Sequence, residues 1–257
     1  MKRLTLSLSI ILALIFLISG CTGKGSAKKE SAEQVDTTSV PDTGFTGIKK
    51  YMSRSYVIKE VTFKNGVRQG LMKTFYENGK VRQTFWYENG LREDSSRWYY
   101  MEGQLFRTTP YKRDTSDGIA IQYFRNGRKK AKIGYSKGFR TGFLEEYNAD
   151  GKLISAYPEL IITTKDQYST KGVYSISLSL SDKSDKVRFY KGDLSAGVFD
   201  TVKCKRISSS NGIAILNLKK SSTPGVGSID IIAEILTNYG NNKLVYKRID
   251  LPYNDIK

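Results

Sequence analysis

The stretch FYENGKVRQTFWYENG, from Phe75 to Gly90, uses one four-residue phrase twice: Tyr76-Glu77-Asn78-Gly79 returns as Tyr87-Glu88-Asn89-Gly90. Asn-Gly is the strongest short hairpin signal, because both residues tolerate positive φ. The run between is short and rich in Val, Thr, Phe and Trp, which suits a strand and lacks a helical period. The phrase reads as turn, strand, turn.

Working outward, turn glycines fall at Gly66, Gly79, Gly90, Gly103, Gly127, Gly138 and Gly151, spaced 13, 11, 13, 24, 11 and 13 residues. The gap of 24 is bridged at its missing step by Asp114. The unit is therefore 24 residues long with two turns. Aromatic residues keep the same register: Phe63, Tyr87, Tyr111 and Tyr135 form one column, and Phe75, Tyr99, Tyr123 and Tyr147 another. A third column of small residues holds Gly70, Asp94, Gly118 and Gly142. A hairpin cannot bury its apolar face alone, so successive hairpins are expected to stack with the aromatic columns as a packing spine.

Tyr-Glu-Asn-Gly-Lys (76–80), Phe-Arg-Asn-Gly-Arg (124–128), Tyr-Asn-Ala-Asp-Gly-Lys (147–152) and Lys-Gly-Phe-Arg-Thr-Gly (137–142) resemble the bacterial variant of the MORN repeat over residues 47–157. Asp94, Asp114 and Tyr100-Met101-Glu102-Gly103 depart from that pattern. The resemblance implies an elongated array of β-hairpins that serves as a binding or scaffolding surface and is not an enzyme. Some proteins of this type are labelled toxin-neutralising or immunity proteins, which supplies the alternative function considered for this chain.

After Tyr157 the period stops, and Glu159 stands where the next aromatic would fall. Tyr174 to Ser181 alternates apolar and polar residues strictly, the mark of a strand with one buried face. Further strands are expected over Leu160–Thr164, Val187–Tyr190, Val198–Arg206, Ile213–Leu218, Ile229–Leu236 and Leu244–Ile249. Short strands separated by turn signals predict an immunoglobulin-like β-sandwich over residues 158–257. The fold class expected is thus all-β: a MORN-like hairpin array followed by that sandwich.

The N-terminal residues read as an address. Lys2-Arg3, the apolar run Leu4 to Leu17 and Ile18-Ser19-Gly20-Cys21 resemble a lipoprotein signal peptide over residues 1–20, ending in a lipobox. Cys21 would be acylated and would anchor the protein to a membrane. Residues 21–46 then form a tether too polar to bury a core, with a reach of about 25–30 Å as a flexible coil. The expected location is outside the cytoplasm, on the cell membrane or outer membrane. Cys204, the only other cysteine, is expected in a strand as a small hydrophobe.

The chain has 42 basic and 25 acidic residues, and residues 47–157 hold 22 of the former against 11 of the latter. With no histidine anywhere, Ser-His-Asp and Cys-His triads and His-containing zinc sites are excluded. No Gly-rich nucleotide loop occurs, and no cofactor or catalytic residue is expected. The candidate surface lies beside the turns. One column carries Arg68, Arg92, Ser116 and Arg140; another carries Lys80, Gln104, Arg128 and Lys152. Stacking would align each as a basic ladder, with Trp86 and Trp98 as exposed aromatics, for an anionic envelope polymer or an acidic protein partner. The competing reading is that these cations only keep turns solvated and block edge pairing. Nucleic acid satisfies the charge equally well, but export makes it an unexpected physiological partner.

Overall fold

The computed structural model describes residues 44–194 and 197–257. The expected signal peptide, Cys21 and nearly all of the expected tether lie outside the described residues. Hairpin follows hairpin: β1 (Gly47–Ser53), β2 (Tyr56–Lys64), β3 (Val67–Phe75), β4 (Val81–Glu88), β5 (Leu91–Tyr99), β6 (Leu105–Lys112), β7 (Thr115–Ser116), β8 (Gly118–Tyr123), β9 (Lys129–Ser136), β10 (Phe139–Tyr147) and β11 (Leu153–Ile154). They form one antiparallel sheet in chain order, with the short β7 beside β6.

The two Tyr-Glu-Asn-Gly phrases build different turns at opposite ends of the strands. In the second, Asn89 and Gly90 both have positive φ, 49° and 85°, closing a two-residue type I′ turn between Glu88 and Leu91. The same turn recurs at Asn65-Gly66, Arg113-Asp114 and Lys137-Gly138. In the first phrase only Gly79 has positive φ, 78°. Its N–H donates to the Tyr76 carbonyl at 3.0 Å, and Tyr76 N–H donates to the Lys80 carbonyl at 2.9 Å. That is a type I turn closed by a glycine bulge, repeated at Gly103, Gly127 and Gly151. Longer and shorter turns alternate, which generates the spacing of 13 and 11. Asp114 holds a left-handed conformation where its counterparts have glycine, and its carboxylate accepts from Arg92 N–H at 2.8 Å and Arg92 Nε at 2.9 Å.

Successive units are stapled at their turns. Gly90, Asp114 and Gly138 donate their N–H groups to the carbonyls of Arg68, Arg92 and Ser116. At the other ends Tyr76 and Tyr100 donate their hydroxyls to the carbonyls of Tyr99 and Tyr123, one unit further on. The aromatic columns are half-buried to buried. The deepest positions lie between them: Val61, Phe85, Thr109 and Ile133 are all buried, as are Ser96, Ala120 and Leu144. Gly70, Asp94 and Gly118 have positive φ where two extra residues bulge each unit's strand. The small-residue column is a bulge column.

The remaining chain forms two four-stranded antiparallel sheets. Strands β12 (Leu160–Gln167) and β13 (Val173–Leu180) are joined by the one-turn helix α1 (Tyr168–Lys171). Next come β14 (Val187–Lys191), β15 (Val198–Phe199), β16 (Lys205–Ile207), β17 (Ser209–Ser210), β18 (Ile213–Lys219), β19 (Ser228–Leu236) and β20 (Asn242–Asp250). The sheets run β12-β13-β18-β17 and β16-β14-β19-β20. Ile176, Leu178 and Leu180 of the first share one core with Phe189, Ile231, Ala233 and Ile235 of the second. Strict alternation in β13 puts Tyr174, Ile176, Leu178 and Leu180 into that core.

One expected strand is not continuous. Val198–Arg206 breaks after Phe199, because the Asp200 carboxylate accepts from Val202 N–H and its carbonyl from the N–H groups of Lys203 and Cys204. Strand β15 leaves for the other sheet and pairs with β10, Arg140 opposite Phe199. Cys204 lies in this turn rather than in a strand, buried against Tyr190, Phe199, Ile232 and Leu244. Burial pushes its thiol above the ordinary range, so it is not a poised nucleophile.

Candidate functional site

Glycine-bulge turns follow β3, β5, β8 and β10, so residues one step past each turn glycine line one edge of the large sheet. Lys80, Arg128 and Lys152 stand there, all exposed, with Gln104 between the first two. Two strands separate consecutive units, which sets the rungs about 9.5 Å apart. That is close to a Debye length at physiological salt, so each cation meets an anion nearly independently of the next. Lys80 Nζ donates to the Glu102 carbonyl at 3.0 Å and Arg128 Nη1 to the Ala149 carbonyl at 3.0 Å, each reaching the next turn on the edge. These contacts orient the heads while leaving them in solvent. Arg125, exposed on the same edge, pairs with Glu102 and lies 4.6 Å from the Tyr100 ring centroid. A backbone amide and then Arg125 hold the Glu102 carboxyl below its usual range. Sequence reasoning missed Arg125; its place inside the turn of Phe-Arg-Asn-Gly is the signal that marks it.

The other column is aligned as its spacing predicts, but its cations are engaged inside the sheet. Arg68 lies 5.3 Å from the Tyr87 ring centroid. Arg92 is paired with Asp114 and lies 4.5 Å from the Tyr111 ring centroid. Arg140 is half-buried and donates through Nη2 to the Asn242 carbonyl. The Arg68 and Arg92 guanidinium groups cap the aromatic column and Arg140 is tied to the Asn242 carbonyl, so neutralising the three together would loosen packing as well as remove charge. The tryptophans do not join either line. Trp98 pairs across the ladder with buried Gln83, and the Arg82 guanidinium lies 5.9 Å from its ring centroid. Trp86 projects from the opposite face, and its indole N–H donates to Glu88 at 3.3 Å.

A second constellation joins the large sheet to the C-terminal sheets. Glu146 of β10 is fully buried, and its Oε1 accepts from Thr237 Oγ1 and Asn241 Nδ2, each at 2.7 Å. Both donors belong to the turn between β19 and β20, which has the same glycine-bulge form at Gly240. Burial, then the adjacent Glu146, holds the Tyr157 phenol well above its ordinary range. Phe124 meets Tyr239 edge-on at 6.5 Å. These groups bring two donors to one carboxylate oxygen and tie β10 to the 237–241 turn.

Among the described residues, no group of three or more His, Cys, Asp or Glu side chains converges as a metal site. No helix among them is long and apolar enough to cross a membrane. No protein-family model matches the chain, and no curated protein matches it.

Proposed function

We propose that this is a membrane-anchored lipoprotein of the cell envelope, acylated at Cys21, whose MORN-like array works as a non-enzymatic binding module for an anionic envelope polymer or acidic partner. The finer architecture we propose is a MORN-variant array followed by an immunoglobulin-like sandwich. The observation that carries the reading is the exposed line of Lys80, Arg128 and Lys152, with Arg125 beside it, set on the pitch of the hairpins with Gln104 at the one uncharged rung. A repeating cation row suits a repeating anion better than a single small ligand, since contacts accumulate along its length.

Two experiments test the two halves of this proposal. The variant Lys80→Gln/Arg128→Gln/Lys152→Gln should bind a lipopolysaccharide or teichoic acid preparation more weakly by roughly 3- to 100-fold, at about 0.2–1 kcal/mol for each exposed contact. Its salt dependence should flatten in parallel. Unchanged affinity with an unchanged salt slope sinks the edge as the binding surface. Separately, Cys21→Ser should abolish incorporation of labelled fatty acid; full labelling of that variant rules out Cys21 as the anchor.

A further inference from the structure

The face of the large sheet opposite its buried columns is not the polar surface a solvated sheet presents. Leu71, Ile119 and Phe143 recur on it at one position of the 24-residue unit, with Ser95 in the second place. Register pairs Leu71 with Trp86, Ser95 with Pro110 and Ile119 with Gly134, and Gly134 in turn backs onto Phe143. Exposed apolar side chains therefore lie on β3 and β4 and again on β8 and β10, with Ser95 and Pro110 between them and Glu93 opposite Trp86; together they mark a belt across this face. Leu71, Trp86, Ile119 and Phe143 each remain between 37% and 43% exposed. A second exposed row, Val67, Leu91 and Phe139, runs beside it in the same phase. Exposed apolar residues that recur in phase along one face point to an interface.

We propose that this belt is a self-association surface, on which two copies of the chain pack face to face about a two-fold axis running along the belt. The size fits. Seven strands at about 4.8 Å give a length near 30 Å, and a width of about 15 Å lets two copies bury on the order of 1,000 Å², enough for specific association. The charge fits as well. On β5, Glu93 and Arg97 flank the belt position Ser95 on opposite sides; on β2, Glu60 and Lys64 flank Thr62 likewise. Rotation about the belt exchanges its two sides, so Glu93 meets Arg97 of the other copy and Lys64 meets Glu60. An isologous interface requires this self-complementarity. The face is also open. Arg140 and Glu146 reach the C-terminal sheets from the opposite face, which leaves the belt uncovered by the rest of the described chain.

The test uses the full chain in intact cells. Ser95→Cys places a thiol on the axis, and face-to-face sheets about 10 Å apart suit a short bis-maleimide rather than a direct disulfide. A species of twice the monomer mass should form from Ser95→Cys and not from Gln104→Cys on the turn edge. Adding Glu93→Arg should remove at least nine-tenths of that species, and adding Arg97→Glu to the same chain should restore it. Restoration by the second reversal separates recognition from misfolding. The proposal is overturned by no doubled species, by equal yield from both cysteine positions, or by a yield that Glu93→Arg leaves unchanged. A crosslinked product of another mass, or shielding of the introduced thiol by lipid without crosslinking, would overturn it in favour of a different protein or a membrane. Polyanion binding through the Lys80 edge is measured separately and survives any of these results.

Discussion

Glu146→Ala should lower the stability of the protein by about 2–6 kcal/mol. The loss has an identifiable origin. Thr237 Oγ1 and Asn241 Nδ2 both donate to Glu146 Oε1, and the carboxylate is fully buried. Removing the acceptor strands the buried Asn241 amide and the half-buried Thr237 hydroxyl, at about 1–3 kcal/mol each. For a chain of this size that lowers the thermal midpoint by roughly 5–20 °C. Glu146→Gln retains an acceptor oxygen at the same place and should stay within about 1 kcal/mol of wild type. Thermal unfolding followed by near-ultraviolet circular dichroism decides the matter. A Glu146→Ala midpoint within about 2 °C of wild type would falsify the role of this contact as the joint between the sheets.

Gly212→Ala should be the other severe change, and Gly79→Ala is its control. Both glycines have positive φ, 75° and 78°, so both pay about 1–2 kcal/mol for a Cβ in the left-handed region. They differ in surroundings. A Cβ at Gly212 would lie 2.4 Å from the Ser184 carbonyl oxygen and 3.0 Å from Asp185 Cα, both backbone atoms, whereas nothing lies within 4 Å of one at Gly79. The Asn211-Gly212 turn must therefore separate from the 184–185 backbone in the first variant only. We expect Gly212→Ala to exceed Gly79→Ala by at least about 2 kcal/mol in denaturant unfolding. Equal costs would show that the close approach is absent in solution.

The repeat was legible because strand length and turn chemistry are local properties, and four units in phase amplify a weak local signal. Three things were not legible, each for a physical reason. The turn types were hidden because identical residues close both: Asn78 and Asn89 follow the same Tyr-Glu, yet only Asn89 has positive φ. What separates them is the number of residues between paired strand ends, which requires register. The deepest columns were hidden because depth there comes from hairpin stacking, so Thr109 and Ser96 are as buried as Phe85. The joint was hidden because Glu145-Glu146 reads as a solvated acidic pair. Alternation carried the missing clue: Glu146 shares a face with buried Leu144, while Glu145 points away and pairs with Lys132 at 2.8 Å. The candidate edge shows the same limit. Sequence spacing aligned both cation columns correctly, but only the ring contacts of Arg68 and Arg92 distinguish a packed column from a solvated one.

Alternation of the two turn types has a consequence for how such a protein can change in length. Adding a single strand would reverse the direction in which the chain arrives at β10 and present its wrong face to the 237–241 turn. Only a whole 24-residue unit preserves both direction and face. One end of the sheet is fixed where Glu146 grips that turn, whereas β1 at the other end pairs with β2 alone. Growth or loss of units between them would move β1 by about 9.5 Å per unit and leave the joint untouched. The array is thus a graduated ruler, able to change in reach only by whole divisions and anchored at its zero.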